Sequence, residues 1–208
     1  MVFDKISGLI KSINKIKVGG DIKYYNLENW WFDELSKEER TLIKNKYSPL
    51  CSPNSIDEGE VLSSNYSNVS FLKSLVGGLK PVEDFDLVNK ILKKGESLIN
   101  NKTNALDKHF LYSRAIEFYY ANKDFKEDAL GKTIYYCKKQ INISKDAKNS
   151  FLKEYENSKL PSHLGYIQLA NIYERQANYD KAIAVASQAL IEGWKGDWKQ
   201  GLNRLEKL

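Results

Sequence analysis

The residue types that most often carry out enzymatic chemistry are few in this chain and lie far apart. His109 and His163 each stand alone, with no cysteine or second histidine at the spacing of a metal site. The Gly77-Gly78 pair lacks the Lys-Ser/Thr that follows the glycines of a phosphate-binding loop. Cys137 falls on the apolar face of a predicted helix, where a thiol packs as a small inert side chain. We therefore expect no catalytic residue, metal or cofactor. The one alternative that the sequence leaves open is a Ser/His/Asp catalytic set brought together by folding.

The net charge of +5 raises the question of a polyanionic partner. Only four of the 32 basic residues are arginine, the side chain that most often reads phosphates and bases specifically. The lysines are interspersed with Asp and Glu, and the densest group, Lys90, Lys93 and Lys94, lies on the polar side of a predicted helix. This pattern favours a solvated surface over a nucleic-acid interface.

The composition also bears on the compartment. No apolar run approaches the roughly 20 residues of a transmembrane helix. The first residues include Asp4 and Lys5 and lack the apolar core of a secretory signal. Cys51 and Cys137 are isolated, as is typical of a reducing cytosol. We expect a cytoplasmic protein, and its richness in Lys, Asn, Ile and Tyr is associated with AT-rich bacterial or phage genomes.

The strongest structural signal is the segment 163–190, which predicts two helices packed against each other. The first helix has apolar residues at three- and four-residue steps, and the second repeats alanine, so each has one apolar face. Small side chains let two helix axes approach closely. The residues concerned are Tyr166, Leu169, Ala170 and Tyr173 in the first helix and Ala182, Ala186 and Ala189 in the second.

The same segment contains signals for helix ends. Pro161 suits a first helical turn, where its missing N–H costs nothing. Ala177-Asn178 supplies the break, because Asn tolerates turn conformations, and Gly193 stands where a C-terminal cap belongs. This order of residues resembles a tetratricopeptide repeat, a helix–turn–helix unit of about 34 residues.

The resemblance covers roughly residues 104–193 and is strongest in 163–193. A weaker second hairpin is predicted over 104–122 and 126–141, and the spacing leaves room for another helix near 145–157. The resemblance implies an all-α fold, a short α-solenoid of antiparallel helical hairpins. Because two repeats seldom bury a core alone, flanking helices are expected to complete it.

The sequence predicts two parts, divided near residue 66. Residues 67–208 form the tetratricopeptide-like domain, completed by a helical pair within 71–99 and by a capping helix that begins after Asp197. Residues 1–66 form a small helical lobe that ends in a loop rich in Pro, Ser and Asn.

Three features stand out in the N-terminal lobe. Residues 3–16 carry an apolar stripe, which either lies on a membrane surface or covers apolar surface of the protein itself. Ser36 followed by Glu39 is a capping-box signature. Trp30 and Trp31 project about 100° apart on a helix, so we expect either that both pack inside or that Trp30 is an exposed anchor for a partner.

In the tetratricopeptide family, outward residues of each first helix line a concave groove. Carried over by position, the candidate groove residues are Ile167, Asn171, Glu174 and Arg175 in the stronger hairpin and Ser113, Arg114, Glu117 and Tyr120 in the weaker one. The resemblance thus implies a non-catalytic adaptor or regulatory module with a protein or peptide partner. The alternative is a nucleic-acid or small-ligand module, such as an inhibitor linked to a phage or mobile element.

The whole chain also resembles a group of uncharacterised small bacterial proteins. It shares with them a Tyr-Tyr-Asn-Leu…Trp-Trp segment at 24–31, a Leu-Pro-Ser-His…Gly-Tyr segment at 160–166 and a Gly-Trp…Gly-Asp-Trp segment at 193–198. This resemblance implies a shared architecture and brings no activity with it.

Overall fold

The computed structural model of the protein describes residues 18–47, 56–156 and 158–207. Regular secondary structure in these ranges is helical, apart from one isolated bridge between Ser162 and Lys195. The all-α prediction is confirmed. None of the described helices has the length and apolar character needed to cross a membrane. The chain divides into two compact units, Met1–Asn65 and Tyr66–Leu208.

The first unit contains short helical elements. They are α1 (Gly20–Tyr24), a π-helical turn (Trp30–Glu34) and α2 (Lys37–Lys46). The predicted capping box begins α2: the Ser36 hydroxyl accepts a hydrogen bond from the Glu39 N–H at 3.2 Å, and the Ser36 N–H donates to the Glu39 carboxylate at 2.8 Å. The predicted helix at 3–16 and Cys51 lie outside the described residues.

The expectation that Trp30 is an exposed anchor is wrong. Its side chain is 1% exposed and that of Trp31 is 0% exposed. Burying an indole removes roughly 200 Å² from water and contributes on the order of 4–5 kcal/mol. That gain exceeds the roughly 1–3 kcal/mol cost of a buried N–H without a partner, and Trp30 Nε1 has no partner among the described residues. The hydrophobic term therefore favours burial of both indoles.

The second unit contains the remaining described helices. They are α3 (Asn68–Val76), α4 (Phe85–Ser97), α5 (Ala105–Ala121), α6 (Ala129–Asn142), α7 (Ser144–Glu154), α8 (Leu164–Arg175), α9 (Tyr179–Glu192) and α10 (Trp198–Leu205). Helix α5 packs on α6, α6 on α8, α8 on α9 and α9 on α10, while α3 packs on both α4 and α5. Helix α7 is the additional helix predicted near 145–157, and it packs on α5 and α6.

The apolar faces predicted for α8 and α9 are buried, except that Tyr173 is half-buried. Tyr166, Ala182 and Ala189 have no exposed surface, and α8 and α9 pack directly on each other. The alanines bring the two helices close, which buries the larger side chains of α8. A core cluster extends this contact and consists of Leu106, Ala147, Phe151, Leu160, Tyr166, Ala186, Ala189, Trp194 and Trp198.

One of the predicted helix signals is wrong. Pro161 lies outside α8, and its carbonyl accepts a hydrogen bond from the Lys195 N–H at 3.2 Å. Helix α8 is capped by His163, whose Nδ1 accepts from the Tyr166 N–H at 3.3 Å. The predicted break at Ala177-Asn178 is confirmed, since α8 ends at Arg175 and α9 begins at Tyr179. Within it, Ala177 adopts the left-handed conformation, with φ of 54°, and the Asn178 N–H donates to the Tyr173 carbonyl at 2.9 Å.

The predicted end of α9 is confirmed. Gly193 has φ of 83°, and the N–H groups of Gly193 and Trp194 both reach the Ala189 carbonyl at 3.1 Å. A glycine adopts this conformation without the steric cost that a side chain would add. The chain therefore turns sharply after α9 and returns toward the start of α8.

Candidate functional site

A cleft of about 780 Å³ opens beside α8, α9 and α10, and we call it the α8–α10 cleft. Its apolar lining consists of Ile167, Ala170, Ala186, Trp198 and Leu205. Its polar lining consists of Asn171, Glu174, Asp197, Gln200 and Arg204, and Gly196 and Gly201 complete it. Three of the eight predicted groove residues, Ile167, Asn171 and Glu174, thus line one concave surface.

Two tryptophans hold the α10 side of the cleft in place. The Trp198 indole N–H donates to the Trp194 carbonyl at 2.8 Å, and the Trp194 indole N–H donates to the Glu192 carboxylate at 2.9 Å. Both rings are buried in the core cluster. Gly196 permits this packing, because a Cβ at that position would lie 2.7 Å from the Trp198 ring. Helix α10 is therefore anchored through its first residue.

The charges along the cleft are mainly acidic. Glu174 and Asp197 supply two carboxylates, and Arg204 supplies the single cation among the lining residues. Arg204 Nη2 lies 2.8 Å from a Glu174 carboxylate oxygen, and the Arg204 side chain is 64% exposed against 25% for Glu174. Asp197 makes no side-chain capping bond to α10. The lining thus carries a formal charge of −1 on a chain whose net charge is +5.

A second contact joins predicted groove residues from the two hairpins. Arg175 on α8 donates through Nη1 to the Tyr120 hydroxyl on α5 at 3.0 Å. Arg175 is exposed and Tyr120 is half-buried. The structure thus brings together two of the predicted groove residues that are distant in the chain.

The other three candidates lie elsewhere. Arg114 pairs with Glu117 at 2.9 Å, and both line a separate cavity of about 280 Å³ beside the end of α3. The Ser113 hydroxyl accepts a hydrogen bond from the Gln140 amide of α6. Ser113 therefore contributes to the contact between α5 and α6, and the eight candidates do not form one continuous groove.

Gln140 is a structural residue that the sequence patterns did not reveal. It has no exposed surface, and its Nε2 donates to the His109 carbonyl at 2.9 Å as well as to Ser113. Its Oε1 accepts from the Gly165 N–H at 2.6 Å. A Cβ on Gly165 would lie 2.7 Å from that oxygen. One amide thus joins α5, α6 and α8, and Gly165 was the available sequence signal, because a side chain there would meet this amide.

The two histidines, isolated in the sequence, are neighbours in the fold, and we call them the histidine pair. Their ring centroids are 5.0 Å apart, and the Trp194 ring lies 4.7 Å from His163 and 5.9 Å from His109. Burial lowers the pKa of His109 to about 4 and that of His163 to about 3. Both rings are therefore neutral at pH 7, which fits the packing role expected for them.

The remaining reactive group is also a packing residue. Burial raises the pKa of the Cys137 thiol to about 12, so the thiolate that would act as a nucleophile is disfavoured. Within the described ranges, no group of three or more His, Cys, Asp or Glu side chains could hold a metal ion. The α8–α10 cleft, with its mixed lining, is therefore the candidate site, and its geometry suits binding. No protein-family model matches the chain, and no curated protein or solved structure matches it either.

Proposed function

We propose that this protein is a non-catalytic adaptor or regulatory module that binds a peptide segment of a partner protein in the α8–α10 cleft. The observation that carries the proposal is the mixed lining of the cleft. Apolar side chains such as Ile167 and Trp198 lie beside the amides of Asn171 and Gln200. An extended peptide needs both, since its side chains require apolar contact and its backbone requires hydrogen bonds.

The proposal includes a tetratricopeptide-like arrangement of the second unit. In it, α5 with α6 and α8 with α9 are two successive hairpins, and α10 covers the end of the stack. The packing of α8 on α6 supports this arrangement, since each hairpin of a repeat stack contacts the next one. Helix α7 is then an insertion between the two repeats.

The charges of the cleft argue for a peptide over a nucleic acid. Glu174 and Asp197 would repel phosphate groups, and the one lining cation, Arg204, is already paired. A cytoplasmic site of action is part of the proposal, and the free thiol of Cys137 is consistent with a reducing compartment.

A display selection with a random decapeptide library tests the proposal. The protein is the bait, and the selected peptides are then titrated against two variants with the same substitution. Asn171→Arg places a long side chain in the cleft. Asn203→Arg places the same side chain at an exposed position of α10 that does not line the cleft. We expect Asn171→Arg to abolish peptide binding and Asn203→Arg to preserve it. Failure to select any peptide, or normal binding by Asn171→Arg, would contradict the proposal.

A further inference from the structure

We infer that the α8–α10 cleft selects a peptide with a lysine or arginine that pairs with Glu174, and that Arg204 occupies this position in the free protein. The inference rests on the proposed function and specifies the partner's chemistry. It also assigns Arg204 a role as an internal competitor.

The acidic character of the cleft is the first step. With Arg204 displaced, Glu174 and Asp197 leave the lining with two negative charges. The chain as a whole is basic, with a net charge of +5. The cleft is thus a local acidic region on a basic protein, and charge complementarity favours a cationic occupant.

The unequal exposure of the ion pair is the second step. The Glu174 side chain is 25% exposed and belongs to the wall of the cleft, whereas the Arg204 side chain is 64% exposed. An ion pair of this exposure contributes little, because water solvates the guanidinium nearly as well as the carboxylate does. A peptide cation that also brings apolar contacts can therefore replace Arg204 without a large loss.

The apolar lining beside Glu174 is the third step. Ala170 lies one helical turn before Glu174 on α8, and Leu205 follows Arg204 on α10. The preferred ligand therefore has a basic residue with an apolar residue close to it in sequence. Long aliphatic stems of Lys and Arg suit such a lining, since they contact apolar surface while their charge reaches a carboxylate.

The experiment compares peptide selection by the unmodified protein, Arg204→Ala and Glu174→Gln. We expect peptides with Lys or Arg at a fixed position. For these peptides, Arg204→Ala should bind about two- to fivefold more tightly, as expected for removal of an exposed competing cation. Glu174→Gln keeps the shape of the side chain and should lose the preference for a basic residue.

Matched controls separate local from general charge effects. Lys199→Ala and Glu206→Gln remove one charge of each sign at exposed positions outside the cleft, and both should bind as the unmodified protein does. Peptides without a basic preference, or a preference that persists in Glu174→Gln, would overturn the inference and leave the proposed function standing. If none of the proteins selects a peptide, the proposed function itself fails.

Discussion

Two polar centres of the second unit, one buried and one exposed, differ in what their polar contacts do. In the buried centre, the fully enclosed Gln140 amide joins three helices through the His109 carbonyl and the Gly165 N–H. In the α8–α10 cleft, Glu174 and Arg204 form an ion pair whose members can both return to water. The first arrangement fixes the positions of α5, α6 and α8, and the second leaves both charged groups free to bind another partner.

The difference follows from the cost of desolvation. A buried donor or acceptor that loses its partner costs about 1–3 kcal/mol, whereas an exposed ion pair contributes about 0–1 kcal/mol. Changes in the buried centre should therefore alter stability, and changes in the cleft should alter binding. The predictions below test this separation, in order of decreasing effect.

The largest effect should come from acid, through the histidine pair. The pKa values of His109 and His163, about 4 and about 3, lie below the ordinary value of 6.5, so the unfolded chain binds these protons first. Stability present above pH 6.5 is therefore lost as the pH falls. At about 1.4 kcal/mol per pH unit, each histidine lowers the free energy of unfolding by up to roughly 3 kcal/mol between pH 6.5 and pH 4. Urea denaturation at pH 7 and pH 4 measures this loss.

A variant separates the histidines from the carboxylates, since the pKa values of Glu96 and Glu192 are lowered and these groups also destabilise the fold in acid. His109→Gln should reduce the pH slope between 6.5 and 4 by about one proton. An unchanged slope would show that His109 titrates normally and is not enclosed with His163.

Removing the buried amide should give the next largest effect. Gln140→Leu leaves the Gly165 N–H and the His109 carbonyl without their partner, and we expect a loss of about 2–4 kcal/mol. Gln200→Leu, the same change at an exposed residue of the cleft, should cost less than about 0.5 kcal/mol. Chemical denaturation measures both losses. Similar losses of stability in the two variants would show that the buried centre and the cleft do not differ in this way.

The tight contact between α8 and α9 predicts a smaller effect. Ala182 has no exposed surface, so Ala182→Leu should overpack the contact and cost about 1–3 kcal/mol. Ala184 lies on the exposed side of the same helix, and Ala184→Leu serves as the control. An unchanged melting temperature for Ala182→Leu would mean that the helices do not pack in this way.

The smallest effect on stability should come from the exposed surface of α8. The double change Asn171→Ala, Arg175→Ala removes two exposed side chains and the bond from Arg175 to Tyr120. We expect thermal denaturation to show a loss of stability of less than about 1 kcal/mol. The affinity for a selected peptide should decrease. A large loss of stability would show that this surface is part of the structure.

The sequence could predict helices and their buried faces, because helical periodicity is a local property. The burial of Tyr166, Ala182 and Ala189 follows from their spacing. The approach of His109 and His163 could not be predicted in this way, since it depends on how helices far apart in sequence pack together. The partners of Gln140 were hidden for the same reason.

The sequence predicted the α8 side of the candidate site and missed the α10 side. The repeat resemblance pointed to outward residues of first helices, and Ile167, Asn171 and Glu174 do line the cleft. The opposite side comes from α10, where the sequence indicated only a capping helix. Arg204 was missed because its pairing with Glu174 depends on the turn after Gly193. Trp30 was ambiguous because two adjacent indoles project in different directions from a helix, so the helical period alone does not decide whether both are buried.

The placement of the four tryptophans makes the chain its own optical reporter. Trp30 and Trp31 lie in the first unit, and Trp194 and Trp198 lie in the second, all with less than a tenth of their surface exposed. Unfolding of either unit should therefore shift emission to longer wavelength. Because Trp198 alone lines the α8–α10 cleft, a change in emission that is lost in Trp198→Phe would report occupancy of the cleft without any added label.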